Sequence, residues 1–191
     1  MYREVMPMYY EIDIAGLKRQ LPLCKVTDDL YIGAFIMFSD VEITKACAAE
    51  LLKRAPEFDV LVTAEAKGIP LCYEMARQAG TDNYVIARKG PKLNMENLLT
   101  TEVDSITTDH IQMLCIGQRE IDMIKGKRVL LVDDVISTGE SLRSLENLMN
   151  RAGANIVGRM TVLAEGDALK RDDITYLQVL PVFNPDGTVK E

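Results

Sequence analysis

The stretch Arg128-Val-Leu-Leu-Val-Asp-Asp-Val-Ile-Ser-Thr-Gly-Glu-Ser141 constrains the fold of this chain more than any other. Its four branched apolar residues run without alternation, the pattern of a strand buried on both faces in a parallel sheet. Two adjacent carboxylates, Asp133 and Asp134, stand at its carboxyl end, where open α/β sheets bind their ligands. Ser137-Thr-Gly-Glu-Ser141 then wraps into a helix. Gly139 permits close backbone approach, and hydroxyls and free N–H groups gather at a positive helix end, an arrangement that suits a phosphate. Carboxylates beside a phosphate cradle suit a sugar phosphate, because acidic oxygens accept hydrogen bonds from vicinal hydroxyls. The alternative is a strand–turn–helix whose acids merely cap the turn, for which adjacent Asp at a buried strand end is a costly choice.

Around this stretch, apolar runs of strand length alternate with amphipathic helical stretches, which makes the chain α/β. Ser39 to Glu42 has capping-box spacing, and Ile43, Cys47 and Leu51 then line one helix face to about Ala55. Asp59 to Thr63 is a buried strand that feeds a turn at Lys67-Gly68 and a helix with Pro70 in its first turn, ending at Gly80. Tyr84 to Ala87 is a second strand. Leu93 to Asp109 is polar and Thr-rich with little periodicity, and Ile111 to Ile116 reads as a strand. Arg128 to Val132 is the clearest strand. Leu142, Leu145, Leu148 and Ala152 mark the next helix, which Gly153 terminates, and Ile156 to Leu163 is the last long strand. The less regular ends, Met1 to Tyr31 and Glu165 to Glu191, together form a small subdomain.

A length of 191 residues fits one domain with a real core. Twenty-two basic against twenty-nine acidic residues leave a net charge of −7, which argues against a nucleic-acid partner. No apolar run is long enough to span a membrane, and Met1 to Tyr10 lacks the apolar core of a signal peptide. Cys24, Cys47, Cys72 and Cys115 lie far apart and share the chain with one histidine, which excludes a Cys/His zinc site of usual spacing. Cys47 and Cys72 read as helix-face hydrophobes in a reducing compartment, so the expectation is a cytoplasmic protein.

Residues 129 to 141 resemble the phosphoribosyl-pyrophosphate signature of type I phosphoribosyltransferases: four apolar residues, two acids, two apolar residues and a Ser/Thr-Gly-x-Ser/Thr loop. Glu65-Ala-Lys67-Gly68, after a buried strand, looks like the family's pyrophosphate loop, which often carries a strained peptide bond. Ala87-Arg88-Lys89-x-x-Lys92-Leu93 looks like the basic segment of the adenine and xanthine branches, and Asn97-Leu-Leu-Thr100 to Thr108 like the mobile catalytic loop. The resemblance covers roughly residues 25 to 170. It implies a mainly parallel sheet flanked by helices, with a hood contributed by about residues 1–35 and 165–191 of a single domain. It also implies salvage of a purine base: base plus phosphoribosyl pyrophosphate gives the nucleoside monophosphate and pyrophosphate, with Mg²⁺ held mainly through the pyrophosphate substrate. Asp133, Asp134 and Glu102 are then the catalytic candidates. Phosphoribosyl pyrophosphate falls to Lys67, Gly68, Arg88, Lys89, Lys92, Asp133, Asp134, Ser137, Thr138, Gly139, Glu140 and Ser141, and the base to Tyr31 and Glu165.

These elements also stand on physical grounds. Pyrophosphate gathers charge as the glycosidic bond breaks, so the cations Arg88, Lys89 and Lys92 favour the transition state; the bland alternative is a solvated basic turn. Lys67-Gly68 can direct N–H groups at the same group, or simply form a turn. The Thr-rich segment 100–108 fits a lid that excludes water from an oxocarbenium-like centre, or a plain long hairpin. His110, the one imidazole, reads as a surface residue rather than a base.

The base is the less legible half. Ser137 stands where the hypoxanthine-guanine branch carries an Asp, which resembles the adenine and xanthine branches instead. The stretch Asn97-Leu-Leu-Thr-Thr-Glu-Val-Asp-Ser-Ile-Thr most resembles the bacterial xanthine branch, but that branch's base-contacting lysine is replaced near Glu165-Gly166-Asp167, and its amino-terminal asparagine by Tyr31. Acids in the hood (Asp28, Asp29, Glu165, Asp167) favour a donating 6-amino group, so adenine is preferred over xanthine or hypoxanthine; Lys25 and Lys170 are the nearest cations. Two other classes compete. The run Val-Leu-Leu-Val-Asp-Asp also opens signalling receiver domains of ~120 residues, yet only 57 residues follow Asp134. A nucleotide-sensing regulator on the same fold is the third reading. The family is commonly dimeric, and Met37, Phe38, Met95 and Leu98 are apolar residues that the core pattern does not claim, which points to a homodimer.

Overall fold

A computed structural model describes residues 8–101 and 113–190. Its centre is a five-stranded, all-parallel sheet in the order β10-β9-β8-β4-β5. The strands are β4 (Val60–Ala64), β5 (Tyr84–Ala87), β8 (Arg128–Ile136), β9 (Asn155–Ala164) and β10 (Thr175–Val179). Four helices, α1 (Val41–Leu52), α2 (Ile69–Ala79), α3 (Gln118–Ile124) and α4 (Glu140–Arg151), surround it. The expected α/β architecture is therefore the observed one. Val129 to Val132 are each no more than 2% exposed, because helices cover both faces of β8. Burying each such side chain is worth about 1.5–3 kcal/mol, so this strand anchors the sheet at its middle.

The terminal segments contribute an antiparallel hood, but less of the carboxyl-terminal one than expected: β10, inside the expected hood range 165–191, pairs with β9 in the central sheet instead. β1 (Tyr9–Ile14), β2 (Leu17–Thr27), β3 (Leu30–Gly33) and β11 (Val182–Phe183) form an antiparallel sheet in that order. The amino-terminal part is more regular than the sequence reading allowed. Ala15 and Gly16, at φ 53° and 76°, close β1 onto β2 as a two-residue turn. A separate pair, β6 (Leu99–Thr101) and β7 (Leu114–Ile116), is antiparallel.

Several boundaries differ for local reasons. Asp40, not Ser39, caps α1: its Oδ1 accepts from Ile43 N at 3.0 Å, and its carboxylate is fixed by Arg19. Glu42 is drawn to the same arginine instead of closing a capping box. β8 runs on to Ile136, past both acids, because Val135 and Ile136 still pair with Leu163 and Ala164. Met37 is core at 1% exposure, so only Phe38 and Leu98 of the four proposed surface hydrophobes stand exposed. Cys47 and Cys72 are buried on helices as expected, and burial pushes the Cys47 thiol up to about 12. No described helix is long and apolar enough to cross a membrane.

Candidate active site

The carboxyl ends of β4, β5, β8 and β9 bring the predicted segments together. The loop after β4 carries Glu65, Lys67 and Gly68, and its Glu65–Ala66 peptide bond is cis. Gly68 lies directly on the acid pair. A Cβ built there would sit 2.4 Å from Thr63 Oγ1 and 2.9 Å from Asp133 Oδ1, so only glycine fits. Asp133 Oδ1 also accepts from Asp134 N at 2.9 Å.

Asp134 is 4% exposed, and its Oδ2 has no hydrogen-bond partner among the described residues. Burial raises the pKa of Asp133, and the Asp134 charge raises it further, against the opposing pull of Lys67. Asp134 is raised by burial as well, while its contact with Asp133 and the Lys67 charge lower it. An orphaned buried acceptor costs about 1–3 kcal/mol unless a ligand supplies a donor.

The loop 137–141 leaves β8 and enters α4 at Gly139, whose φ of 77° is left-handed. Thr138 Oγ1 accepts from Glu140 N at 3.4 Å, Ser137 O accepts from Ala168 N at 2.8 Å, and Glu140 opens the helix. Asp133, Ser137, Thr138, Gly139 and Ser141 line one cavity of about 80 Å³. The acid pair and the loop thus share one space.

Glu65 links the remaining pieces. Its Oε2 accepts from Lys89 N at 3.0 Å, and its Oε1 lies 3.6 Å from Arg88 Nε. The Lys89 N–H, then the nearby charges of Arg88, Lys92 and Lys89, hold its carboxyl below the usual range. Lys67, Lys89 and Lys92 are exposed. A groove of about 420 Å³ runs from Arg88 and Lys92 along β5 to Arg119 and Met123. The sequence reading placed Glu65 in the loop but missed this bracing role, because its partners lie 23 and 24 residues further along the chain.

The base candidates lie apart, one on a hood strand and one in the loop after β9. Tyr31 stands on β3, in register with Lys25 and Phe183. Glu165 follows β9, where its N–H donates to Ile136 O at 2.9 Å. It is 9% exposed, its Oε1 has no partner among the described residues, and burial raises its pKa. The other hood acids do not share that setting. Asp28 pairs with Lys25 and Asp167 with Lys170, each at 2.6 Å and exposed, because short i,i+3 spacing lets neighbouring opposite charges meet in solvent. Glu102, His110 and most of the 100–108 segment lie outside the described residues; its flanks are paired as β6 and β7. Among the described residues no cluster of three His, Cys, Asp or Glu could hold a metal by itself.

The comparisons with known proteins agree with this geometry. A xanthine phosphoribosyltransferase of Bifidobacterium adolescentis is 29% identical over 173 residues, covering 84% of this chain and 89% of that protein. The purine biosynthesis transcriptional repressor PurR of Bacillus subtilis is 28% identical over 163 residues, 80% of this chain and 55% of the repressor. The crystal structure of an adenine phosphoribosyltransferase from Rhodothermus marinus superposes with a TM-score of 0.64 at 21% identity, covering 90% of this chain and 94% of that one. A profile of the phosphoribosyl transferase domain matches residues 41–188, and the chain belongs to that family.

Proposed function

We propose that the protein is a purine phosphoribosyltransferase, joining a purine base to phosphoribosyl pyrophosphate with release of pyrophosphate. One observation carries the reading: Gly68 rests on Asp133, which lines the same cavity as Ser137, Thr138, Gly139 and Ser141, so pyrophosphate, ribose and 5′-phosphate positions adjoin. The N–H groups of Ser137 to Ser141 cradle the 5′-phosphate. Asp133 and Asp134 accept from the ribose hydroxyls, which supplies the donor that Asp134 Oδ2 lacks. Gly68, Lys67, Arg88, Lys89 and Lys92 face the pyrophosphate. As the C1–O bond to pyrophosphate breaks and the bond to the purine nitrogen forms, the purine gives up one imidazole-ring proton to solvent or to the departing pyrophosphate. Fixed cations then meet the growing negative charge, and carboxylates the growing positive charge on ribose. Glu102 belongs to the segment that would cover this centre.

Mg²⁺ fits the site as a guest of the substrate. The acid pair is too buried and too few in ligands to hold it alone; the ion would be held through the substrate, whose ribose hydroxyls the two acids would receive. Bound there, it neutralises part of the pyrophosphate charge.

For the base, adenine is the reading that Glu165 supports. A buried carboxylate oxygen without a partner accepts from a 6-amino group and repels a 6-oxo group. Tyr31 contributes from the hood. The likeness to a xanthine enzyme makes the 6-oxo purines the alternative. A homodimer is the reading that the exposed Leu93 and Leu98 beside the basic segment support; sedimentation at micromolar concentration should show twice the monomer mass, and a monomer contradicts it. The four free thiols fit a reducing, cytoplasmic setting.

A nucleotide-sensing regulator is the second reading, favoured by the similarity to PurR. A crystal soaked with nucleoside monophosphate tests the site common to both: phosphate density at 137–141 supports it, and density elsewhere refutes it.

A further inference from the structure

Four charged side chains form a closed ring beside the phosphate loop. Glu146 of α4 accepts from Arg159 of β9 and, at 3.0 Å, from Arg171 Nη2. Asp173 completes the ring. Its carboxylate takes Arg171 Nε at 2.8 Å and Nη2 at 2.7 Å, and lies 3.3 Å from Arg159 Nε. The two arginines and Glu146 are mostly buried, with side-chain exposures of 27%, 24% and 14%. Two cations and two anions cancel, so the ring as a whole could be no more than a brace between α4, β9 and the segment before β10.

Arg171 differs from Arg159 in what its remaining nitrogen faces. Nη1 stands 3.8 Å from the point where a Cβ on Gly139 would lie, at the turn where the loop enters α4. The 3₁₀ turn Gly166–Lys170 that precedes Arg171 is itself fastened to the loop, through Ala168 N to Ser137 O at 2.8 Å. The guanidinium is thus held by two carboxylates on one side and presented to the loop on the other. It stays charged at every working pH. Its orientation is fixed on folding, so none of that ordering cost falls on ligand binding.

We propose that Arg171 is a positioning residue for the 5′-phosphate, placing a fixed cation beside residues 137–141, where the loop N–H groups receive the anion. The proposal rests on the reading of that loop as the phosphate cradle. It concerns the ribose-phosphate end of the substrate and is independent of which base is used.

The test titrates ribose 5-phosphate and, separately, pyrophosphate into the full chain, alongside steady-state kinetics. Arg171→Met should weaken ribose 5-phosphate about tenfold and raise KM for phosphoribosyl pyrophosphate to match, with kcat and pyrophosphate affinity within about twofold of the parent. Arg171→Lys should recover most of the loss, because it restores the charge. Arg159→Met breaks the same ring away from the loop and should shift ribose 5-phosphate affinity less than about twofold. If Arg171→Met does not fold, Arg171→Gln, which keeps polar contact but not charge, carries the same expectation. Unchanged ribose 5-phosphate affinity in the Arg171 variants, or an equal loss in the Arg159 and Arg171 variants, overturns the proposal. Gly139→Val separates the two levels. If it leaves ribose 5-phosphate binding intact, the cradle reading fails; if it abolishes binding while Arg171→Met does not weaken it, only the role of Arg171 falls.

Discussion

Gly68, in the loop after β4, packs against Asp133 of the neighbouring strand β8: a Cβ on Gly68 would come within 2.9 Å of Asp133 Oδ1 and 3.2 Å of Asp133 Cα. The φ of Gly68 is −72°, which any residue adopts, so the demand for glycine here is steric and not conformational. Gly68→Ala should therefore lose activity by displacing Asp133. Because backbone as well as side-chain atoms obstruct the new methyl, the fold should lose about 1–3 kcal/mol too. Thermal unfolding and turnover measured together check this; an unaffected Gly68→Ala variant would show that Gly68 does not press on Asp133.

Asp134→Asn should cut turnover by roughly 100-fold while the protein becomes more stable near neutral pH. The sign follows from the raised folded-state pKa of Asp134. The folded chain binds a proton more tightly than the unfolded one, so the native state loses stability as pH rises from the ordinary Asp range toward the raised value. An amide escapes that penalty. Each ~1 kcal/mol regained would lift Tm by about 2–4 °C in a chain of this size. The gain should shrink below about pH 4, where the unfolded carboxyl is protonated too. A lower Tm at pH 7, or full activity, is the contrary result.

The opposite pH dependence is expected of Glu65, whose pKa is lowered by the Lys89 N–H and the adjoining cations. Its stabilising contribution is present above the ordinary Glu range and fades as pH falls through its depressed value. Glu65→Gln should flatten the Tm–pH curve below about pH 4.5, with a small amplitude because the group is partly solvated. It should also raise KM for phosphoribosyl pyrophosphate several-fold by loosening Arg88. Unchanged kinetics would mean that the basic segment is held by other contacts.

The contrast between these sites explains what was legible in the sequence. The run from Arg128 to Ser141 could be read because strand, acids, loop and helix start are contiguous, and each has a local signature. The turn at Lys67-Gly68 was readable as a turn, but not as a surface pressed against Asp133, since that contact spans 65 residues of chain. The same holds for the ring joining Glu146, Arg159, Arg171 and Asp173. β6 escaped notice because a three-residue strand has no period to detect, and α3 because its seven residues bury only Ile124 fully. The acid-rich hood was overread: Asp28 and Asp167 satisfy themselves on Lys25 and Lys170 in solvent, which composition could not distinguish from the buried Glu165.

For Glu165 the expected outcome is a change in base preference rather than in chemistry. The parent should show higher kcat/KM for adenine than for xanthine or hypoxanthine. Glu165→Gln should narrow the ratio by about tenfold, because the amide can also donate to a 6-oxo oxygen. Competition among the three bases reads this directly. A parent that prefers xanthine or hypoxanthine defeats the assignment of the base, while the phosphoribosyl half of the site stands.

The most direct measurement is pyrophosphate release when the protein, Mg²⁺ and phosphoribosyl pyrophosphate are mixed with each of adenine, xanthine, hypoxanthine, guanine and the pyrimidines. Release that requires both Mg²⁺ and a purine, is fastest with adenine and falls roughly 100-fold in Asp134→Asn is the predicted result. No release with any base, from a protein that still binds phosphoribosyl pyrophosphate, would contradict catalysis and make the chain a sensor built on the same fold.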